Sequence, residues 1–348
     1  MNGPSVITGV GLVSAAGDTL ESVMAAMLAG APLTSTAIPG FDAKRYIPRK
    51  GVRDLSRISQ LACSAAAANA RGLSAVLPEA VGVVFGSAWG SFKTVIEFER
   101  EAHVEGARFV DPILFTETVS NVPAGQVAIL YGWSAFNATL SSGSASGVAS
   151  LRQAVAFLAE DRGSVAVAGG GDEINPPLLA ALRMRGWSGP VGGEGACFLT
   201  LEDEAHARSR GAPALGSIRA TAERFGDSPA GLMRDLVARA GLSASEIDLV
   251  VLSAPGLVGG DAEEERAVVE VFGEQTDAAA VVIPKAILGE TWGASGVLAT
   301  ALAIEVMRTS TIPTVRGPLR RRVGNALILD RTDAGHQLGL VLAAGAAA

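Results

Sequence analysis

Short apolar, β-branched runs that end in glycine alternate along this chain with alanine-rich segments of helical periodicity. Val81 to Phe85 and Ser164 to Val167 are typical of buried strands, whereas Ala145 to Ala159 and Gly293 to Arg308 are typical of helices. Such alternation predicts an α/β fold with a layered sheet. Since 49% of the residues are apolar but only 5% are aromatic, small aliphatic side chains must fill a closely packed core.

The second half of the chain continues the same alternation. The segment VAVAGGGDE, which begins at residue 165, is similar to LVVLSAPG, which begins at residue 249. Both are apolar runs that end in small residues. This faint internal repeat hints at two related halves that join near residues 203 to 213.

Charge and cysteine content exclude several classes of protein. The 35 acidic and 28 basic side chains give a net charge of −7, which argues against a general nucleic-acid binder. Two cysteines are too few for a disulfide scaffold, and their spacing excludes a cysteine-built metal site. The glycines of GVGLVSAAG have the wrong spacing for the common phosphate-binding motifs. We therefore expect no cofactor and no metal. Because the chain shows no signal peptide and no apolar run of about 18 residues, we expect a cytoplasmic protein without a membrane span.

The turn from Ser141 to Gly147 is the strongest candidate for chemistry, because it joins a predicted strand to a predicted helix. Backbone N–H groups and the helix dipole at such a place favour developing negative charge. Gly143 and Gly147 match the outer glycines of the hydrolase nucleophile elbow, but Ala145 occupies the place of its serine. That motif is therefore not present.

The chain offers little else for nucleophilic catalysis. His103, His206 and His336 all lie in charged or polar stretches, which predicts solvated surface histidines. Cys63 lies among helix alanines and Cys197 lies within an apolar strand, where a cysteine acts as a small hydrophobic residue. A serine nucleophile would therefore have no evident base.

Five segments, taken together and in order, resemble one known family. They are VITGVGLVSAAGDT near the start, DPILFTETVSNVPAGQVAILYGWSA from residue 111, SGSASGVASLRQAVAFLAEDRGSVAVAGGGDE from residue 142, GGEGACFLTLEDEAHARSRGA from residue 192 and IPKAILGETWGASGVLATALA from residue 283. They are similar to the β-ketoacyl synthase branch of the thiolase-fold superfamily, the condensing enzymes of fatty acid and polyketide synthesis. The resemblance implies a thiolase-like α/β fold with layers in the order α-β-α-β-α and two pseudo-repeated, ketosynthase-like halves, residues 1–205 and 206–348.

The positions that carry the family's chemistry are altered in this chain. An ungapped match puts Ser144 where the family has its nucleophilic cysteine. Ser253 takes the place of the first active-site histidine, or Pro255 does so if the loop is shorter. Glu290 takes the place of the second histidine. The resemblance therefore implies that the cysteine and both histidines are lost.

Other parts of the family's site are retained or missing. Lys285 matches a lysine that the family carries, but the glycine-rich phenylalanine loop is absent from residues 319–325, and the segment 171–193 is shorter than the family pattern. Loss of carbon dioxide from a malonyl group requires hydrogen-bond donors that stabilise an enolate. Glu290 would instead place a carboxylate where negative charge develops, which opposes this chemistry.

The resemblance therefore implies a non-condensing subunit of the chain length factor type. Such a subunit forms a heterodimer with an active ketosynthase and shapes the acyl tunnel at their interface, in type II polyketide, polyene or fatty acid biosynthesis. The family segment that packs across the dimer corresponds to residues 115–131. We expect Phe115, Thr118, Asn121 and Tyr131 to line the interface and the tunnel, the alternative being that they only fill the core.

An acyl carrier protein with its phosphopantetheine arm is the second expected partner. Carrier proteins are acidic, so basic clusters would attract one, although a solvated basic surface is the alternative. Two further functions stay open: an acyltransferase or hydrolase in which Ser144 accepts an acyl group with help from Lys285 and Glu290, and a module that binds a carrier protein or a lipid. The basic clusters are Lys44, Arg45, Arg49, Lys50 and Arg53 in the first half, and Arg316, Arg320, Arg321 and Arg322 in the second.

Overall fold

The computed structural model describes residues 5–35, 37–187, 192–226, 228–254, 260–273, 280–314 and 317–345. The strands are β1 (Ser5–Ser14), β2 (Val81–Gly86), β3 (Asn137–Leu140), β4 (Val165–Asp172), β5 (Gly195–Asp203), β6 (Gly216–Phe225), β7 (Leu249–Val251), β8 (Ala280–Val282), β9 (Thr311–Thr314), β10 (Gly317–Arg320), β11 (Asn325–Arg331) and β12 (His336–Ala344). The helices are α1 (Leu20–Ala29), α2 (Arg57–Gly72), α3 (Phe92–Val104), α4 (Pro112–Thr116), α5 (Val122–Tyr131), α6 (Ser146–Ala159), α7 (Pro176–Met184), α8 (Glu204–Ser209), α9 (Pro229–Arg239), α10 (Gly260–Phe272), α11 (Lys285–Leu288) and α12 (Ser295–Thr309).

The sheet repeats one pattern of strand pairing in its two halves. Its order is β3-β2-β4-β5-β1-β6-β12-β11-β7-β8, while β9 and β10 form a separate hairpin. In each half-sheet, the first two strand pairings counted from the outer edge are parallel, and the next two are antiparallel. Antiparallel pairing of β1 with β6 joins the halves. The boundary predicted between residues 205 and 206 lies inside α8, the helix that leads from one half to the other.

Two central helices lie between the half-sheets. Side chains of α6 and α12, such as Val148 and Leu302, form one apolar core with the inner faces of both half-sheets. On the outer faces, α2 and α5 cover the first half-sheet, and α9 covers the second together with α10. The layers therefore follow the order α-β-α-β-α. Among the described helices, none is both long and apolar enough to cross a membrane.

Strand β4 is longer than the sequence predicts. The apolar pattern ends at Val167, but the strand continues through the following glycines. A Cβ atom on Gly169 would lie 1.9 Å from the carbonyl oxygen of Cys197, and one on Gly170 would lie 2.1 Å from that of Gly293. The glycines therefore allow close backbone contact with β5 and with the turn before α12, which brings the carboxyl end of β4 to the candidate site.

Candidate functional site

Ser144 lies in the turn between β3 and α6, close to the N-terminus of the helix. Ser146, the first residue of α6, stabilises this turn because its Oγ accepts a hydrogen bond from the backbone N–H of Ser142 at 2.8 Å. The Ser144 hydroxyl donates to the carbonyl oxygen of Arg331 at 2.7 Å. The side chain is therefore bound to the end of β11 in the second half of the chain.

Three of the four predicted site residues come together in a second, buried part of the site. The ammonium of Lys285 lies 2.8 Å from Glu290 Oε2 and 3.2 Å from Ser253 Oγ. Asp330, which is not predicted from the sequence as a site residue, lies 3.7 Å from the same ammonium. Ser253 follows β7, Lys285 begins α11 and Asp330 belongs to β11, so three elements of the second half converge here. Pro255, the alternative to Ser253, lies outside the described residues.

Burial and the attraction between opposite charges shift the pKa values of this cluster in opposite directions. Burial favours the neutral form of Lys285, but the carboxylates of Glu290 and Asp330 outweigh it and raise the pKa of the ammonium above its usual value. Burial raises the pKa of Asp330 to about 7, in spite of its attraction to Lys285. Because Lys285 stays protonated at neutral pH, it is not available as a general base.

The carboxylate of Glu290 interacts with three donors from the protein. Its Oε1 accepts hydrogen bonds from the backbone N–H of Trp292 and from the Ser295 hydroxyl, both at 2.7 Å. Its Oε2 accepts from the Lys285 ammonium at 2.8 Å. An ionised carboxylate accepts hydrogen bonds and donates none, so this side chain cannot replace a donor histidine at a developing anion.

The structure does not pair Ser144 with Lys285. In the part of the chain that the structure describes, the Ser144 hydroxyl donates to the backbone of Arg331, whereas Lys285 contacts Glu290, Ser253 and an aspartate. A serine nucleophile needs a base within hydrogen-bond reach. The acyltransferase or hydrolase hypothesis therefore gains no geometric support.

A cavity of about 460 Å³ lies between Ser144 and Glu290. Three tryptophans, Trp89, Trp187 and Trp292, line it, and none of them is predicted from the sequence as a site residue. They lie far apart in the chain, so no local motif could have identified them. The lining consists of Ala88, Trp89, Gly143, Ser144, Leu182, Arg185, Gly186, Trp187, Glu290, Trp292, Asp333 and Ala334.

Two of the three histidines differ from the prediction of solvated side chains. His206 Nδ1 lies 2.8 Å from a carboxylate oxygen of Glu202, and His336 Nε2 lies 2.7 Å from one of Glu223. Both rings are half-buried, so the prediction is wrong for them, because the polar neighbours in sequence do not reveal the carboxylates that the sheet places beside them. His103 is exposed, as predicted, and no histidine lines the cavity.

The cysteines are buried, as predicted. Cys63 lies in α2 and Cys197 lies in β5, both without exposed surface. Burial raises the pKa of the Cys63 thiol to about 12 and also raises that of Cys197. Neither thiol is therefore suited to act as a nucleophile. Within the described ranges, no group of three or more His, Cys, Asp or Glu side chains could hold a metal ion.

The residues predicted for an interface lie in or beside an exposed apolar surface around α4 and α5. Phe115 is 59% exposed, and Asn121 is exposed as well. Thr118 is half-buried, and its hydroxyl donates to the carbonyl of Phe115 at 2.8 Å. Tyr131 points inward, since its hydroxyl donates to the carbonyl of Cys63 at 2.8 Å. We call the exposed residues Ile113, Phe115, Val119 and Ile129 the α4–α5 surface.

The predicted basic clusters are only partly available to a partner. Arg53 forms an ion pair with Asp42, and both Arg49 and Arg321 donate to backbone carbonyls. These three side chains therefore stabilise the protein's own loops. Arg316 lies outside the described residues. The exposed members that remain are Lys44, Arg45, Lys50, Arg320 and Arg322.

Sequence models of one protein family match most of this chain. The model described as "Beta-ketoacyl synthase, N-terminal domain" matches residues 47–199, and that described as "Beta-ketoacyl synthase, C-terminal domain" matches residues 212–317. Among curated relatives, the 3-oxoacyl-[acyl-carrier-protein] synthase 2 of Vibrio cholerae is 25% identical over 88% of this chain and 87% of its own length. The putative polyketide beta-ketoacyl synthase 2 of Streptomyces halstedii is 29% identical over 78% of this chain and 75% of its own.

Solved structures share the fold over nearly the whole chain. The ishigamide ketosynthase/chain length factor superimposes with a TM-score of 0.88 at 20% identity, covering 99% of this chain and 100% of that one. AntDE:AntF, a type II PKS acyl-carrier protein in complex with its ketosynthase, gives a TM-score of 0.84 at 17% identity with the same coverage. These similarities confirm the predicted thiolase-like α/β fold.

Proposed function

The chain belongs to the β-ketoacyl synthase family, and from this premise we propose that it is a non-condensing subunit of the chain length factor type. In this proposal it pairs with an active ketosynthase and shapes the acyl tunnel at their interface, in type II polyketide, polyene or fatty acid biosynthesis. The observation that carries the proposal is the buried ion pair of Lys285 with Glu290, 2.8 Å apart and beside Ser253. By the family resemblance, histidines belong at the positions of Ser253 and Glu290.

The charges at this place oppose condensation. The enolate formed from a malonyl group is stabilised by hydrogen-bond donors or by positive charge. In the described part of the chain, the ammonium of Lys285 faces the carboxyl groups of Glu290 and Asp330, so this positive charge is neutralised and is not free to stabilise an enolate. Ser144, at the position of the nucleophile, donates its hydrogen bond to a backbone carbonyl. These features support a subunit that keeps the family's architecture without its reaction.

Two surface features support pairing with a second chain. In the described part of the chain β3 pairs only with β2, so β3 forms an edge of the sheet whose outer N–H and C=O groups are available to another strand. The α4–α5 surface adds exposed apolar side chains, among them Phe115 and Ile129. Clustered exposed apolar residues mark sites of protein interaction. A homologous ketosynthase is the partner that we propose for this face.

An acidic acyl carrier protein is the second partner in this proposal. In the AntDE:AntF structure a carrier protein is in complex with its ketosynthase. The exposed side chains of Lys44, Lys50, Arg320 and Arg322 supply positive charge on an otherwise acidic chain. Such charge complementarity steers association and weakens as the ionic strength rises.

Co-expression with an active type II ketosynthase that carries the cysteine and both histidines tests the pairing. We expect a one-to-one complex, measured by size-exclusion chromatography with light scattering. Phe115→Asp places a charge within the α4–α5 surface and should weaken the complex by about tenfold or more. Val269→Asp is the matched control, because Val269 is an exposed apolar residue on α10 in the other half of the chain and should leave pairing unchanged.

Two results would contradict this proposal. One is a folded wild-type chain that stays monomeric in the presence of the ketosynthase. The other is a reconstituted synthase whose products have the same length with and without this chain, which would favour a module that only binds a carrier protein or a lipid. If Phe115→Asp and Val269→Asp paired equally well, the interface would lie away from the α4–α5 surface.

A further inference from the structure

A second cavity, of about 260 Å³, lies between the end of β1, the start of α1 and the outer helix α2. Among the described residues, none lines both this cavity and the one between Ser144 and Glu290. Its lining also includes no residue of the α4–α5 surface. The second cavity is therefore separate from the site and the surface on which the proposed function rests.

One hydroxyl of this cavity is buried without a hydrogen-bond partner. Ser64 lies in α2, is 2% exposed and lines the cavity. Within the described residues its Oγ has no partner, whereas the hydroxyls of Ser146 and Ser150, buried in α6, donate to backbone carbonyls. An unpaired hydroxyl is unfavourable in a protein interior. A ligand that accepts a hydrogen bond from Ser64 would remove this cost.

The charged residues of the lining are Arg45, Arg71 and Asp18. The carboxylate of Asp18 accepts a hydrogen bond from the Tyr46 hydroxyl at 2.9 Å. In the part of the chain that the structure describes, neither arginine forms an ion pair. The lining therefore carries an excess of positive charge, although the whole chain has a net charge of −7. Such a cavity attracts an anion.

The residues around the two arginines support this preference. Burial raises the pKa of Tyr46 to about 12, so its hydroxyl stays protonated and continues to donate to Asp18 at neutral pH. The guanidinium of Arg45 lies 5.9 Å from the centroid of the Tyr46 ring. Thr19, which also lines the cavity, is the N-cap of α1, so the positive end of this helix dipole borders the cavity.

A phosphate monoester matches this lining better than a carboxylate does. Its phosphate carries a charge of about −1.5 to −2 at neutral pH, which two guanidinium groups can balance, and it offers three acceptor oxygens. Guanidinium groups bind phosphate through paired hydrogen bonds. Leu12, Ala65 and Ala68 add apolar surface to the lining, which leaves a place for a short organic body.

We propose that this cavity binds a phosphate monoester of a short aliphatic alcohol, with Arg45 and Arg71 contacting the phosphate and Ser64 donating a hydrogen bond to it. The inference goes beyond pairing and chain-length control, because it assigns the chain a ligand site that neither of them uses. It involves no covalent step. It is tested on the full chain without a ketosynthase.

Butyl phosphate is the test ligand, and isothermal titration calorimetry at low ionic strength measures its affinity. We expect saturable binding of one molecule per chain. Pentanoate should bind about tenfold more weakly, because a carboxylate carries a single charge. Inorganic phosphate should bind about fivefold more weakly, because it has no apolar body to bury.

Arg71→Met should weaken binding of butyl phosphate about tenfold. Arg239→Met is the matched control, because Arg239 is an exposed arginine in the last turn of α9, as Arg71 is in the last turn of α2, but does not line the cavity. Ser64→Ala should weaken binding about fivefold without lowering the melting temperature, because the hydroxyl that it removes has no partner in the described structure.

Each of four results would overturn this inference: no saturable binding of butyl phosphate, equally tight binding of pentanoate or inorganic phosphate, an Arg71→Met variant that binds like Arg239→Met, or a Ser64→Ala variant that binds like wild type. Light scattering on the same preparations, with the active ketosynthase added, separates this inference from the proposed function. A chain that pairs but does not bind butyl phosphate contradicts the ligand site alone. A chain that binds butyl phosphate but never pairs contradicts the proposed function alone.

Discussion

Ser144 and Lys285 lie at two ends of one site but in opposite surroundings. Ser144 borders a cavity of about 460 Å³, and its hydroxyl donates to a backbone carbonyl. Lys285 is buried beside a space of only about 10 Å³ and contacts Glu290, Ser253 and Asp330. The first end has room for a bound molecule, whereas the protein's own charges fill the second.

From this difference we predict that the first end is open to a ligand and that the second contributes to stability. The ammonium and the carboxyl groups at the buried end connect α11 to β11. A substitution there should act on folding, because a buried charge without its partner is costly. A substitution at the Ser144 end should change little in the folded protein. The expected effects of mutation on stability therefore decrease from the Lys285 end to the Ser144 end.

Lys285→Met should have the largest effect. It leaves Glu290 and Asp330 buried without a counter-charge, so we expect the free energy of unfolding to fall by about 3–5 kcal/mol. Urea denaturation followed by circular dichroism measures this change. Arg234→Met is the matched control, because Arg234 pairs with Glu270 at 2.6 Å on the surface, where an ion pair contributes about 0–1 kcal/mol. Equal losses in the two variants would contradict the structural role of Lys285.

The order of elements could be predicted from the sequence wherever apolar periodicity is strong. For α2 the sequence predicts Ile58 to Ala70, and the helix spans Arg57–Gly72. The prediction contains no helix at α7, which begins with two prolines, a residue that is tolerated in the first turn of a helix. It also begins β3 at Ser134, three residues too early. Apolar periodicity thus predicts which helices and strands form, whereas tertiary contacts determine where each one begins and ends.

The site could be predicted only where its residues match positions at which the family carries its reactive groups. Lys285 and Glu290 lie in one short segment, so the family resemblance identifies both, and the structure pairs them. Asp330 comes from β11 and Asp172 from β4, and each acts through neighbours that only the folded chain brings near. No local pattern marks such residues, because their role depends on burial and on partners from other elements.

Asp330→Asn should change how stability depends on pH. Burial raises the pKa of Asp330 from 3.8 to about 7 in the folded state, so between these values the folded protein binds more protons than the unfolded one. The stability that Asp330 contributes is fully present at pH 3.8 and is lost as the pH rises to about 7. Over this range the free energy of unfolding changes by at most about 1.4 kcal/mol per pH unit. The difference in unfolding free energy between wild type and variant, measured across this range, should show that slope.

Glu246→Gln is the control of opposite sign for this pH experiment. A hydrogen bond from the backbone N–H of Ser243 lowers the pKa of Glu246. The stability that Glu246 contributes is therefore present above its pKa in the unfolded chain and is lost as the pH falls through its pKa in the folded protein. If Asp330→Asn had no effect on the pH dependence, or if both variants changed it in the same direction, burial would not be the cause of the shift at Asp330.

Ser144→Ala should have the smallest effect on stability and should decide whether this end of the site reacts. The variant removes one hydrogen bond, to the carbonyl of Arg331, which is worth about 0.5–1.5 kcal/mol. Because no base lies beside the hydroxyl in the described site, wild-type chain incubated with an acyl-loaded carrier protein should keep its mass, as measured by intact-protein mass spectrometry. An acyl adduct that forms on wild type and is lost in Ser144→Ala would show that the open end retains chemistry. The Ser144 end would then be reactive and the Lys285 end stabilising, and the chain would be an acyltransferase or hydrolase.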